Sequence, residues 1–402
     1  MSVAPAPHVF LVAGEESGDR LGAALMAAIR RRIPDARFSG VGGAQMAARG
    51  LDSLFPLGDL AIIGFAAIPA ALPKIIKRIR QTAEAVVAVR PDVLVIIDSP
   101  EFTHRVARRV RARAPAIPIV DYVCPSVWAW RPGRARTMRG YVDHVMALLP
   151  FEPAAMRRLG GPACSYVGHP LSERAGRLRP SPEEARRRLA DPPVLLVLPG
   201  SRGGEIRRMA GVFGQAAALV AEQIGGLEVV VPAVPRLAEA VQAAVASWPI
   251  PARVVTNVDE KDAAFRVARG ALAKSGTATL ELAVAGIPMV TGYKVPVVEE
   301  IIARAMLKVD TTILPNLVLD EIVVPQFFQR DLTPRNLAAA LGPLLSDTPE
   351  RRAQLLAFAR LDAVMEVGQA VPSGRAAAVV LDYASFTRQN VPETVVSEPP
   401  TA

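Results

Sequence analysis

Two segments of this chain, roughly half its length apart, run an uninterrupted apolar strand straight into a glycine turn and then a helix. In the first, Val9-Phe10-Leu11-Val12-Ala13 stops at Gly14 and continues through Glu15-Glu16-Ser17-Gly18-Asp19 into a helical pattern from about Arg20 to Arg32. In the second, Val194-Leu195-Leu196-Val197-Leu198 breaks at Pro199-Gly200 and passes through Ser201-Arg202-Gly203-Gly204-Glu205 into another helix. Runs this apolar suit parallel strands covered by helices on both faces. The alternation continues: strands are expected near 92–98, 118–123 and 144–149, then near 227–232, 252–256, 271–274 and 288–292, with helices between. This dictates an α/β chain with two Rossmann-like, doubly wound parallel sheets, one in each half. Neither glycine turn completes the dinucleotide fingerprint or the Walker phosphate loop, and Gly40-Val41-Gly42-Gly43 is only a fragment of one. Dehydrogenases and nucleotide triphosphatases therefore lose ground.

With 402 residues, 51% of them hydrophobic, the chain can fill two cores. The expected division is a first domain over 1–171, a proline-rich connection over 172–182, a second domain over 183–365, a C-terminal helix over 366–388 and a disordered tail over 389–402. Pro334 and Pro349 suit the first turns of late helices. No apolar run reaches the roughly 18 residues a membrane span needs. The N-terminal strand has no charged leader before it, so a cytoplasmic protein is expected. Cys124 and Cys164 read as two reduced thiols. His8, His104, His144 and His169 show no metal-ligand spacing, and no metal or cofactor is expected. A net charge of +9 asks for an acidic partner: nucleic acid, anionic lipid or a phosphorylated substrate. Only 5% of residues are aromatic, and they do not interleave with the basic runs, which disfavours nucleic acid.

Lys274-Ser275-Gly276-Thr277-Ala278-Thr279-Leu280-Glu281 sets a small-residue turn before a helix and a carboxylate one turn in. Unpaired N–H groups at such a turn suit a phosphate, and Glu281 can accept two hydrogen bonds from a ribose diol. Val93-Leu94-Val95-Ile96-Ile97 ends at Asp98, where a ligand crevice forms in open α/β sheets. Partial burial there would tune Asp98 as a general base, and a helix N-cap is the alternative. Arg202 offers a bidentate fork to a diphosphate leaving group. No Asp-x-Asp motif is present to hold a metal under that diphosphate. Trp128 and Trp130 are either cleft walls or packing. From Leu60 to Pro73 the chain is apolar, with two prolines and a glycine that argue against a regular core helix, and Lys74, Lys77, Arg78 and Arg80 follow at once. An apolar wedge bordered by cations grips an anionic membrane surface, and a buried core segment is the alternative.

Taken in order, Ala13 to Asp19, Gly40 to Gly43, Ile97 to Phe102, Pro125 to Trp130, Val167 to Leu171, Leu198 to Arg202 and Lys274 to Glu281 resemble the lipid-A-disaccharide synthases, a family of bacterial glycosyltransferases, from about Val9 to Arg388. The resemblance implies a GT-B fold of two Rossmann-like domains facing a cleft, with C-terminal helices. It also implies inverting transfer of a 2,3-diacylglucosamine unit from its UDP derivative to 2,3-diacylglucosamine 1-phosphate, forming a β-1,6 bond without a metal. Asp98 would be the base and Arg202 would act on the diphosphate. Gly14, Ser17, Gly18, Ser201, Ser275, Gly276, Thr277, Glu281, Asn316 and Gln329 would contact the substrates. Ile62, Ile63, Phe65, Ile68, Leu72, Lys74, Lys77 and Arg78 would meet acyl chains and the cytoplasmic face of the inner membrane, and a homodimer is compatible with the pattern. Thr103 and Gln326 depart from it, standing where an asparagine and an acidic residue are expected. Other readings are a different UDP-sugar enzyme of the same fold, such as a cell-wall N-acetylglucosaminyltransferase or a 2-epimerase, and a non-catalytic membrane-surface module.

Overall fold

A computed structural model describes residues 6–60, 68–296, 300, 309–369 and 371–390, with backbone alone at 68–71 and 386–390. The chain divides into two compact units, Met1–Pro170 with Val371–Ala402, and Leu171–Ala370. Each is built on one six-stranded parallel sheet.

The first sheet comprises β1 (His8–Ala13), β2 (Arg37–Val41), β3 (Val93–Ile97), β4 (Ile119–Tyr122), β5 (His144–Ala147) and β6 (Ala163–Tyr166), in the order β2-β1-β3-β4-β5-β6. Every residue of β3 is buried, as its unbroken Val-Leu-Val-Ile-Ile run requires. One face packs with Phe10, Leu94, Ile96, Val106 and Ile119, the other with Leu11, Leu25, Val95 and Tyr122. The helix Pro372–Asn390 returns to this second face, where Ala376, Ala377, Val380 and Ala384 join the core. Small residues at that helical spacing let it lie close against the helix Glu16–Arg32.

The second sheet comprises β7 (Val194–Leu198), β8 (Glu228–Pro232), β9 (Ala252–Val255), β10 (Gly270–Lys274), β11 (Met289–Tyr293) and β12 (Gln326–Phe328), in the order β12-β11-β10-β7-β8-β9. Pro334 and Pro349 open their helices, each behind a threonine whose hydroxyl accepts an N–H of the first turn: Thr333 from Asn336 and Thr348 from Arg351.

In each sheet the chain steps outwards in one direction and then crosses to the other side of the starting strand. The reversal falls between β1 and β3 in the first sheet and between β7 and β10 in the second. Loops diverge at such a switch point, leaving a crevice beyond the carboxyl ends of the two strands.

The segment before Lys74 departs from expectation where it can be seen. A helix runs over Ile68–Val89 and passes through Pro73. Pro69 lies in its first turn, where the missing N–H has no intrahelical partner to lose, and Pro73 forfeits only one bond. Residues 61–67, with Ile62, Ile63 and Phe65, lie outside the described residues. Among the described residues no helix is long and apolar enough to cross a membrane.

Candidate active site

At the first switch point β1 and β3 pair with Ala13 opposite Ile97, so Gly14 and Asp98 emerge side by side. The approach is tight: a Cβ on Gly14 would lie 2.3 Å from that of Ser99. Gly18 is similarly confined, 3.1 Å from the Ile97 carbonyl oxygen. Both glycines thus bring helix and strand together, a packing role beside any contact with substrate. Asp19 is buried and accepts N–H bonds from Gly43 (2.7 Å), Gln45 (2.9 Å) and Met46 (3.0 Å), which ties the Gly40–Gly43 motif to this turn.

Asp98 and Ser99 take left-handed backbone conformations, with φ of 54° and 45°. Such strain in consecutive non-glycine residues is held only by surrounding structure and collects at functional sites. Here Thr103 supplies the hold: its fully buried hydroxyl donates to the Asp98 carbonyl at 2.7 Å. The threonine that departs from the family pattern therefore serves the backbone rather than a ligand. The helix Pro100–Arg113 takes Ser99 as its N-cap and makes no side-chain cap bond, so the capping alternative for Asp98 is not realised. Instead the Asp98 carboxylate accepts the Ser99 N–H at 2.8 Å and lies 3.1 Å from the Ser17 hydroxyl, which is itself 2.7 Å from Glu15. Burial, with the nearby Glu15 charge adding to it, pushes the Asp98 carboxyl above the usual carboxylate range despite the Ser99 and Ser17 hydrogen bonds.

Asp98 lines a cavity of ≈150 Å³ with His104, Asp121, Ser126, Trp130 and Arg134. His104 and Asp121 had not been singled out from the sequence. Both are buried; His104 Nε2 is 3.1 Å from Asp121 Oδ2, close enough for an ion pair but not aligned as a hydrogen bond, and Nδ1 is 3.0 Å from the Tyr141 hydroxyl. The available signal was a carboxylate inside the apolar run of β4. The two tryptophans divide: Trp130 lines the cavity, whereas Trp128 donates to the buried Glu152 at 3.1 Å and stacks edge-on against Phe151. Cys124 and Cys164 are free thiols; Cys124 lines the same cavity, and the neighbouring Cys164 together with burial pushes its thiol far up.

At the second switch point Gly200 has φ of +132°, and a Cβ there would meet Glu205 at 2.6 Å. Arg202 is the N-cap of the helix Gly203–Ile224 and makes no side-chain cap bond. Glu205 is buried, accepts the Ser201 N–H at 3.0 Å, and pairs with Lys274 at 3.2 Å and Arg202 at 3.3 Å. Burial alone would raise the Glu205 carboxyl, but Lys274, the Ser201 N–H and Arg202 together hold it below its usual range. The Arg202 side chain is 75% exposed, leaving most of its guanidinium open to an anion.

The Lys274–Glu281 segment forms the expected turn, with Gly276 at φ +154° and Thr277 as N-cap of the helix Ala278–Val284. That helix has only seven residues, so the stronger dipole end at this switch point belongs to Gly203–Ile224. Thr277 is exposed, while the buried Ser275 hydroxyl is turned 3.1 Å to Thr312, which also accepts from Gln326 at 3.3 Å. Gln326, the second departure from the family pattern, braces this turn by donating to Thr312 and accepting from the Thr311 hydroxyl at 3.3 Å. Glu281 is held 2.8 Å from Lys261.

Two of the residues expected to contact substrate have amides engaged by backbone groups. Asn316 is 1% exposed and spends its amide on the 323–324 backbone, donating to the Val324 carbonyl at 2.9 Å and accepting from the N–H groups of Val323 and Val324. It clamps this loop. Gln329 is similarly engaged, accepting the Val295 N–H at 2.9 Å and donating to the Val295 carbonyl at 3.2 Å. The basic set near the first unit's surface also divides. Arg78 donates to Asp59 at 3.0 Å and covers the Phe55 ring, so it holds the fold; Lys74 pairs with Asp59 at 2.6 Å but is exposed, as are Lys77 and Arg80. Leu72 is 42% exposed, and the side chain of Ile68 is not described.

The chain is similar over 94% of its length to Acinetobacter baumannii MurG, all of which is matched, with a TM-score of 0.57 at 17% identity. It is also similar to S. aureus MnaA in a structure with UDP, over 96% of this chain and 98% of that one, with a TM-score of 0.60 at 12% identity. At such identities the likeness is one of fold, the GT-B type with two parallel α/β units. A lipid-A-disaccharide synthase of Nitrobacter hamburgensis is 60% identical over 382 residues, 95% of this chain and 96% of its own. The sequence pattern described as "Lipid-A-disaccharide synthetase" matches residues 9–375, and the chain belongs to that family.

Proposed function

We propose that this chain transfers 2,3-diacylglucosamine from its UDP derivative to the 6-hydroxyl of 2,3-diacylglucosamine 1-phosphate with inversion, releasing UDP. The observation that carries this reading is membership of the lipid-A-disaccharide synthase family over residues 9–375, and the cavity-facing Asp98 carboxylate at the switch point of the first unit supplies a candidate base. In the reaction the acceptor oxygen attacks the anomeric carbon, its proton passes to Asp98, and the bond to the diphosphate breaks. Arg202 meets the charge developing on that diphosphate, while Ser201, Gly276 and Thr277 supply backbone and hydroxyl donors. Glu281 takes the ribose hydroxyls, with Lys261 fixing its carboxylate. UDP release that requires both diacylated substrates tests the reading. Release with UDP-N-acetylglucosamine and an undecaprenyl-linked acceptor alone would favour a cell-wall enzyme instead.

The ribose role yields a distinct result. Glu281→Ala is expected to weaken UDP by about 1.5–3 kcal/mol through loss of charge-assisted hydrogen bonds. Calorimetry with UDP reads this directly, and unchanged affinity would remove Glu281 from the nucleotide site.

Peripheral association with the cytoplasmic face of the inner membrane belongs to the same proposal. The apolar residues between Leu60 and Leu72 would enter the lipid, with Lys77 and Arg80 at the headgroups. Each such cation is worth about 1 kcal/mol near an anionic surface and is screened as salt rises, whereas the apolar share is not. Binding to anionic vesicles is therefore expected to weaken but persist at high salt, and Ile63→Asp with Phe65→Asp to abolish the persistent part. A double variant that unfolds would show that the segment is core.

A further inference from the structure

Beside the Asp98 cavity lies a second depression of ≈350 Å³ whose lining includes Arg105, Arg108, Arg131 and Arg134. Pro100, His104, Arg131 and Arg134 line both hollows, which therefore adjoin. Arg105 and Arg108 come from the helix Pro100–Arg113, and Arg134 from the helix Gly133–Met138. Arg108 stacks over the Tyr141 ring at 4.7 Å, and Arg131, at φ 52°, over the Trp130 ring at 4.6 Å. Arg134 is only 16% exposed and donates to the Pro100 carbonyl at 3.2 Å. The anion within the depression is Glu101, which is 3.2 Å from Arg134, 3.6 Å from Arg105 and 3.8 Å from Arg131. Asp98 and Asp121 face the neighbouring cavity, where Asp121 is already paired with His104.

Four guanidinium groups and one carboxylate in the same lining leave a strong positive excess in a concave site. Stacking and backbone bonds hold three of the four in place, which lowers the entropy lost when they bind an anion. Planar guanidinium forks match the oxygens of a phosphate monoester, and arginine is preferred wherever such bidentate recognition is needed. In a hexopyranose the 6-hydroxyl arm and the anomeric substituent are carried on the two carbons that flank the ring oxygen, so a sugar with its 6-hydroxyl at Asp98 would bring its anomeric substituent towards the adjoining depression.

We propose that this arginine-lined depression binds a phosphate monoester, namely the 1-phosphate of the acceptor sugar, and so orients the acceptor with its 6-hydroxyl at Asp98. The assignment rests on the reading of the acceptor as a sugar 1-phosphate. The same monoester chemistry is offered by the headgroup of phosphatidic acid, and the test separates the two.

Calorimetry without donor, on the full chain, would compare short-chain diacylglucosamine 1-phosphate with its 1-hydroxyl counterpart. The unaltered protein is expected to prefer the phosphate by about tenfold or more, the scale of a charge-assisted hydrogen bond. Arg105→Gln with Arg131→Gln should erase most of that preference, and Arg105→Lys with Arg131→Lys should retain more of it. Glu101→Gln, which removes the competing anion, should widen it. An unchanged preference in the glutamine pair, an equal weakening of both ligands, or a narrowing in Glu101→Gln would overturn the proposal. So would loss of binding to phosphatidic acid vesicles, whose headgroup is a phosphate monoester, with the sugar preference intact, which would assign these arginines to lipid headgroups. Because the binding measurement needs no turnover, failure of UDP release would count against the transferase reading and leave this result standing on its own.

Discussion

Asp98→Asn is expected to lower the transfer rate by about a hundredfold to ten-thousandfold, the range a general base contributes, while leaving UDP affinity almost unchanged. The amide keeps the shape and can still accept the Ser99 N–H, but it cannot take a proton. The same substitution should stabilise the fold. Burial raises the folded-state pKa of Asp98 above its unfolded value, so the folded chain favours the protonated carboxyl. That contribution is fully present below the unfolded pKa of about 3.9 and is lost as pH rises through the folded value. At neutral pH the buried charge therefore opposes folding, and asparagine removes it. The acid limb of the rate profile should lie above the ordinary carboxylate range in the unaltered protein. Thermal melts and single-turnover rates on one preparation check both effects, and a variant with near-normal turnover would remove Asp98 from the chemistry.

Glu205→Ala should produce the largest loss of stability among the site residues, about 3 kcal/mol, the lower end for breaking a buried ion pair because Lys274 keeps some contact with water. The substitution leaves Lys274 without its anion and the Ser201 N–H without its acceptor, so the Gly200 turn loosens as well. Glu205→Gln should cost less, since an amide oxygen can still accept from Ser201. The sign with pH is opposite to that of Asp98. Glu205 is held below its usual value, so its contribution is present above the unfolded pKa and is lost as pH falls through the folded one. Urea titrations at several pH values measure this, and equal stability of the alanine variant and the unaltered protein at neutral pH would contradict it.

The strands read most easily from the sequence were those with continuous apolar runs, such as β1, β3 and β7, because both of their faces are covered. Three were missed: β2, β6 and β12, each at the edge of its sheet. Arg37-Phe38-Ser39-Gly40-Val41 and Ala163-Cys164-Ser165-Tyr166 leave much of their length partly exposed, and Gln326-Phe327-Phe328 is only three residues long. With one neighbour rather than two, an edge strand needs no unbroken hydrophobic run, and the periodic signal disappears. The site shows a similar division. Asp98 and Arg202 could be picked out because each follows a strand at a turn, where side chains emerge towards a crevice, and Glu281 because it stands one helical turn beyond such a turn. Asn316 and Gln329 carry chemistry suited to a nucleotide, yet their amides are consumed by backbone groups that only the folded loops bring near. His104 and Asp121 lie seventeen positions apart in sequence and are joined by the pairing of β3 with β4, which no local pattern discloses.

The most direct test of the transferase account is nuclear magnetic resonance of the product formed when the purified chain is given UDP-2,3-diacyl-α-glucosamine and 2,3-diacylglucosamine 1-phosphate. One disaccharide per UDP released, joined through the acceptor 6-oxygen with the large anomeric coupling of a β linkage, is the predicted result. An α linkage, attachment at another oxygen, or UDP release without a disaccharide would contradict it.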